Sequence, residues 1–269
     1  MKTNKYAAGF FMGLKEEMQY RADYLTNLIS VVFPLMIQLS LWTILFSGKP
    51  EGTVIMGYTF PQMMLYSVTA TMSARFLATE VHSSVAQDIR DGALNRSLIQ
   101  PIRYPLQKFC IFFGKKVFHF VVNMGILCAL LAVLWVRGQA SLRPWWVLCY
   151  FADLLPAYYL NFLIFLNISF LAFWLVEVSR IFGVVSILLT IFSGGILPLD
   201  IFGAGVVELL QNFPFFYTTY FLTNILTGRL NGGQILQGAA VQAVWMALLT
   251  GLAWLLWKKG MGRYEAVGG

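Results

Sequence analysis

Few side chains in this sequence have the types and spacing that chemistry requires. His82 and His119 form no motif with a serine or cysteine, so a lipid-modifying enzyme with nucleophile and base on one membrane face has no visible constellation. Cys110, Cys128 and Cys149 lie in or beside apolar runs without metal-ligand spacing, which makes them packing residues and predicts no metal site. Gly114-Lys115-Lys116 lacks both the upstream glycine and the hydroxyl of a phosphate-binding loop, so no ATP site and no cofactor are expected in this chain. What remains is QDIRDGALNRSLIQPIRYP, Gln87 to Pro105, a concentration of charge in an otherwise oily chain. Its mixed signs, in Asp88, Arg90, Asp91 and Arg96, suit a groove on another protein, where opposed charges fix register and orientation. A solvated connector is the plain alternative.

The elements that must hold this segment are membrane elements. Of 269 residues 58% are hydrophobic and 12% charged, with a mean hydropathy of +0.69, which excludes an ordinary soluble protein. The net charge of +7 is spread in pairs at the ends of apolar runs rather than gathered on one face, so it marks topology and not a nucleic-acid surface. A bilayer core of about 30 Å needs about 20 apolar residues per helix. Six runs qualify: 24–46, 60–78, 117–136, 144–175, 181–199 and 235–257. The expected fold is therefore an all-α integral membrane protein, one transmembrane domain over residues 1–269. With both termini in the cytoplasm, fifteen Lys and Arg residues fall inside and only Lys49, Arg137, Arg143 and Arg229 outside. That asymmetry puts segment 80–108 in the cytoplasm, between spans two and three, and segment 200–230 outside, between spans five and six.

Residues 1–23 carry acidic groups and no apolar core followed by a small-residue cleavage site, so they are expected to remain attached. Tyr6, Phe10, Leu14 and Met18 recur every four residues, an amphipathic helix for the membrane surface or for packing on its own protein. In the charged segment Val85, Ile89, Leu94 and Leu98 form the apolar side. Gly92, Pro101 and Pro105 limit it to a short helix or helix pair along the membrane.

Asp88-Ile89-Arg90-x-Gly92-x-Leu94, followed by Leu98, Pro101 and Tyr104, resembles the cytoplasmic coupling segment of ABC-2 type transporter permeases. SGGILPLDIFGAGVVELLQNFPFFYTTYFLTNILTG, Ser193 to Gly228, is similar to that family's Gly-Pro-rich turn, short external helices and aromatic Pro-Phe segment. The tail GMGRYEAVGG resembles the end of the short daunorubicin-export-like branch. Gly203 and Leu222 stand where the family often has proline.

The resemblance implies the membrane half of an ABC exporter for a hydrophobic or amphipathic substrate, in the cell membrane, as in a bacterial inner membrane. Two permeases, identical or different, would pair in the lipid, and each would dock a cytoplasmic ABC ATPase subunit that holds ATP and Mg. The implied coupling residues are Glu80, His82, Asp88, Ile89, Arg90, Asp91, Gly92, Leu94, Arg96, Leu98, Pro101 and Tyr104. For His82 a solvated surface position is the plain alternative. Glu177, Ser179 and Arg180 make a second possible ATPase contact or a bare connector with a local ion pair.

On the outer side Gly194, Gly195, Pro198 and Pro214 break the backbone among Phe213, Phe215, Phe216, Tyr217 and Tyr220. Broken backbone at membrane depth survives only where protein or water covers it, which predicts re-entrant helices capping a pathway; an aromatic belt at the interface is the alternative. Asp153, Asn161 and Asn167 need partners within the fourth span, Asp153 either as a functional acid or paired with Arg143. Gln38, Ser40, Thr43, Thr69, Ser73 and Arg75 line either a subunit interface or helix-to-helix hydrogen bonds. An ATP-independent channel or carrier would leave the charged segment unexplained and would show a stronger polar stripe or an internal repeat.

Overall fold

The computed structural model describes residues 5–19, 21–136, 143–175 and 178–264. Helices α1 (Lys5–Gln19), α2 (Arg21–Phe46) and α3 (Phe60–Leu77) lead to two short helices, α4 (Val81–Arg90) and α5 (Leu94–Leu98). Then come the long helices α6 (Tyr104–Val136) and α7 (Pro144–Ser169), the latter ending in a 3₁₀ turn, Phe170–Phe173, and the shorter α8 (Ser179–Phe192). Two further 3₁₀ turns, Leu199–Phe202 and Pro214–Tyr217, flank α9 (Ala204–Leu210) and precede α10 (Thr219–Leu226); α11 (Gly232–Met261) closes the chain. No strand occurs among the described residues, only an isolated bridge between Ile55 and Tyr58.

Among the described residues three helical stretches, Tyr104–Val133, Pro144–Phe173 and Gly232–Met261, are long and apolar enough to cross a membrane. Their surroundings differ. The apolar window of the stretch through α7 is 67% buried, against 22% for α6 and 11% for α11, so α7 is the pillar against which α4, α10 and α11 pack. Residues 117–136, expected to start a helix of their own, are the second half of α6, which is continuous from Tyr104 because Pro105 falls in its first turn, where no backbone N–H is needed. α8 is 14 residues, about 21 Å by helix rise, and so shorter than the expected run 181–199. It ends because Gly194 turns with φ +71° directly beneath Tyr66 and Tyr220, space that no side chain could share.

Helix starts follow local chemistry. Asn231 Oδ1 accepts from the Gln234 N–H at 2.9 Å while the Asn231 N–H donates to Gln234 Oε1 at 3.0 Å, fixing the first turn of α11. Apolar burial forms two clusters. One joins α3, α7 and α10 around Tyr58, Tyr66, Tyr150 and Tyr158; the other, at the α4 end, joins Val81, Val85, Ile89 and Leu94 to Phe162, Phe165, Leu166 and Phe170.

Candidate functional site

Val81, Val85 and Ile89, four residues apart on α4, are all buried against α7 and its 3₁₀ extension, and Leu94 of α5 joins them. Of the expected apolar side, Val85, Ile89 and Leu94 are thus spent inside the chain, whereas Leu98 is exposed. Asp88 is spent there too: its Oδ2 accepts from the Tyr104 hydroxyl at 2.6 Å and pairs with Lys108 Nζ at 2.7 Å, and Lys108 also donates to Ser84 at 2.8 Å. Burial, then the hydrogen bond to Asp88, pushes the Tyr104 phenol up, so it stays a donor. The Tyr104 ring stacks on Trp257 of α11 at 5.2 Å. These contacts brace α4, α5 and the start of α6 into one rigid elbow.

Gly92, with φ +70°, makes the corner between α4 and α5. Arg90, Asp91, Arg96, Leu98 and Pro101 are exposed on the elbow's free side. With them stands Ile99, at 85% the most exposed of the large hydrophobic residues described. Glu80 is exposed just before α4. His82 is half-buried between the rings of Phe165 at 5.1 Å and Phe182 at 4.8 Å, and this burial lowers its pKa. Of the second expected contact, Ser179 and Arg180 begin α8, whereas Glu177 lies outside the described residues.

Helix α1 packs on the first half of α6 at backbone distance. A Cβ on Gly13 would collide with the Ile111 carbonyl, and one on Gly114 with the Phe10 carbonyl. Glu16 pairs with Lys115, Glu17 with His119 at 2.6 Å, and the Tyr6 hydroxyl accepts from the Arg103 N–H at 3.2 Å. Burial raises the Glu17 carboxyl against the pull of Lys116 and Lys115. Of the two uses open to the expected apolar stripe, packing on its own protein takes Tyr6, Phe10 and Leu14 partly out of contact with the surroundings, while Met18, Phe11 and Met12 remain exposed.

At the opposite end the broken segment folds into a cap. Gly194, Gly195 and Pro198 are buried in its first turn, Phe216, Tyr217 and Tyr220 are buried, Pro214 and Phe215 are half-buried, and Phe213 is exposed. Phe213 stacks on Phe215 at 5.4 Å, and Phe215 meets Phe192 of α8 at 6.0 Å. The Tyr66 hydroxyl donates to the Gly194 carbonyl at 2.9 Å, tying α3 to this turn. Asp200 collects three donors on Oδ2: the hydroxyls of Tyr58 at 2.7 Å and Tyr220 at 2.8 Å, and Arg229 at 3.1 Å. The Arg229 guanidinium also lies 3.8 Å over the Tyr58 ring. Tyr58, Asp200 and Arg229 are functional candidates that sequence reasoning missed. An acid within Pro198-Leu199-Asp200 and an Arg after a glycine turn were the available signals, but no fixed spacing joins them. The Gly9-x-x-x-Gly13 pattern could have announced the seam on α6.

Several polar groups of the apolar helices are used between helices. Ser73 and Tyr150 share a hydrogen bond at 2.9 Å, Asn161 donates to the Leu77 carbonyl at 2.7 Å, Asn167 to the Leu249 carbonyl at 3.0 Å, and Gln38 to the Ile196 carbonyl. Asp153, at 8% exposure, faces Gln242 of α11 and not Arg143, whose guanidinium lies over Trp146. A cavity of about 160 Å³ runs between α3, α7, α8 and the cap, lined by Thr79, His82, Asn161, Thr190, Ser193 and Thr218. It therefore touches both the elbow, through His82, and the cap, through Thr218.

This arrangement contains a rigid polar elbow, a capped cleft and no group of metal ligands among the described residues. No curated protein matches the chain. A family model described as ABC-2 family transporter protein matches residues 22–268, which include the elbow, the cleft and the cap. The chain belongs to the ABC-2 transporter family and is a transporter membrane protein.

Proposed function

We propose that the chain is the permease half of an ABC exporter, pairing with a second permease and driven by two cytoplasmic ABC ATPase subunits that bind ATP and Mg. The observation that carries this reading is the elbow. Val85, Ile89, Leu94 and Asp88 are consumed internally, yet Leu98 and Ile99 project into the surroundings among Arg90, Asp91 and Arg96. An apolar tip ringed by charges has the make-up of a docking knob, with one desolvated anchor and a polar rim. A rigid brace to α6, α7 and α11 would carry a push on that tip into the long helices.

In this reading α2, α3, the second half of α6, α7, α8 with its following turn, and α11 are the six spans of a bacterial inner-membrane protein. Both termini and the elbow lie in the cytoplasm, and the cap faces outward, in agreement with the distribution of Lys and Arg. The cleft between α3, α7 and α8 lines part of the path. Its hydroxyls and flanking rings suit an amphipathic cargo. Export is favoured because the cap closes the cleft with packed rings such as Phe215, which suits release of cargo loaded from the elbow side.

The test is to purify the tagged protein from its native membrane in mild detergent, identify what accompanies it and assay ATP hydrolysis. A co-purifying P-loop ATPase with sustained hydrolysis is expected. A single inactive chain, reproduced after crosslinking in the membrane, refutes the proposal and moves weight to a channel or carrier.

A further inference from the structure

A second cavity, of about 170 Å³, lies beside the Asp200 hub and is lined by Asp200, Phe216, Tyr220, Phe221, Asn224 and Arg229. Its polar atoms are not evenly matched. Tyr58 and Tyr220 turn their hydroxyl protons to Asp200 Oδ2, and burial foremost, with the Asp200 charge adding to it, keeps both phenols protonated. Arg229 bonds the same oxygen and covers the Tyr58 ring, so its charge is answered within the hub.

The acceptors are a different matter. Asn224 is 2% exposed; its Nδ2 donates to the Tyr220 carbonyl at 3.0 Å, which fixes the orientation of the amide and leaves Oδ1 buried without a partner. Asp200 Oδ1 likewise carries no hydrogen bond among the described residues, all three donors being on Oδ2. Asp200 is partly exposed, so of the two only Asn224 Oδ1 is a buried acceptor left unpaired, and leaving it so is costly; the cavity therefore favours a donor.

We propose that this cavity binds a primary ammonium group, with N–H donors directed at Asn224 Oδ1 and Asp200 Oδ1 and the cation resting among Phe216, Tyr220 and Phe221. An anion would face the Asp200 carboxylate and the Asn224 oxygen, neither of which has a proton to give, beside an Arg229 whose charge is already paired with Asp200. A quaternary ammonium has the charge but no N–H to give, and so lacks the feature the site selects. The aromatic walls add attraction for a cation through their ring faces. The site lies at the cap and needs no ATPase, so it stands or falls separately from the transport reading.

The experiment uses the full chain in nanodiscs of zwitterionic lipid, with n-butylammonium, tetramethylammonium and butyrate as probes at equal ionic strength. The readout is the thermal unfolding midpoint as a function of probe concentration, because a ligand that binds only the folded state raises it saturably. A saturable rise is expected with n-butylammonium alone. Asn224→Asp, which turns a neutral acceptor into a charged one, is expected to lower the half-saturating concentration about tenfold, and Asn224→Leu to abolish the effect. An equal rise with tetramethylammonium, a rise with butyrate, or no response of the wild-type chain to n-butylammonium overturns the proposal. These probe comparisons on the wild type decide the matter even where a variant fails to fold.

Discussion

Replacing Ile99 by Asp tests whether the elbow tip is a docking surface. Ile99 is 85% exposed, and its backbone N–H donates within its own turn, to the Asn95 carbonyl, a bond that Asp or Leu keeps. The isolated permease should therefore express, insert and unfold as the wild type does. Docking is another matter. Full burial of an isoleucine side chain is worth about 1.5 to 3 kcal/mol, and 85% of that remains to be gained at an interface, or about 1.3 to 2.6 kcal/mol. Losing it weakens ATPase association roughly tenfold to eightyfold, and the cost of desolvating the introduced carboxylate adds to this. The assay titrates the co-purifying ATPase against nanodisc-embedded permease and follows stimulated hydrolysis. Ile99→Leu, which keeps the apolar volume, should remain within about threefold of wild type, since isosteric apolar exchanges cost little. Unchanged half-saturation for Ile99→Asp, with normal insertion, refutes the docking role of the tip.

Asp88→Asn removes the charge that Lys108 and Tyr104 share; for a pair with side-chain exposures of 14% and 24% the loss should be about 2 kcal/mol, read as a lower thermal midpoint, and an unchanged midpoint would discard the brace. Gly114→Leu forces a side chain into the Phe10 carbonyl and should cost about 1 to 3 kcal/mol of α1 docking, seen as faster tryptic cleavage at the exposed Lys15; equal cleavage rates would show that the seam is not tight. His82 has its pKa lowered by burial from the ordinary 6.5, so the unfolded chain takes up the proton first and stability falls as pH drops below about 6.5. The thermal midpoint of His82→Phe should lose part of the wild type's decline between neutral pH and that lowered value, and parallel profiles would show that His82 contributes nothing to the pH dependence.

How much of this was legible in the sequence depended on whether the determining interactions were local. Residues three and four apart on α4 declared an amphipathic face, Gly92 declared a corner, and Gly194 and Pro198 declared broken backbone, since turn and helix geometry depend on neighbours in the chain. The two short helices α4 and α5 and the interrupted segment after α8 follow from these local rules. Membership of the family was legible for a related reason: three ordered segments together carry more information than any one of them.

The destination of each face was not legible. An apolar stripe obeys the same periodicity whether it meets lipid, a partner or its own chain, so only the packing of α4 on Phe162, Phe165 and Phe170 decided that the elbow spends Val85 and Ile89 internally and leaves Ile99 outside. The same holds for α1, whose Gly9 and Gly13 meet Ile111 of α6 about a hundred residues later. Asp200 shows the limit most clearly. Tyr58, Tyr220 and Arg229 reach it from separations of 142, 20 and 29 residues, and Asp153 found Gln242 rather than the nearer Arg143. Composition alone determined that this chain lives in a bilayer, because the cost of hydrating so much apolar surface is a sum over residues. Which charges meet depended on the three-dimensional path of the backbone, because a hydrogen bond is specific to a few tenths of an ångström that no spacing along the chain encodes.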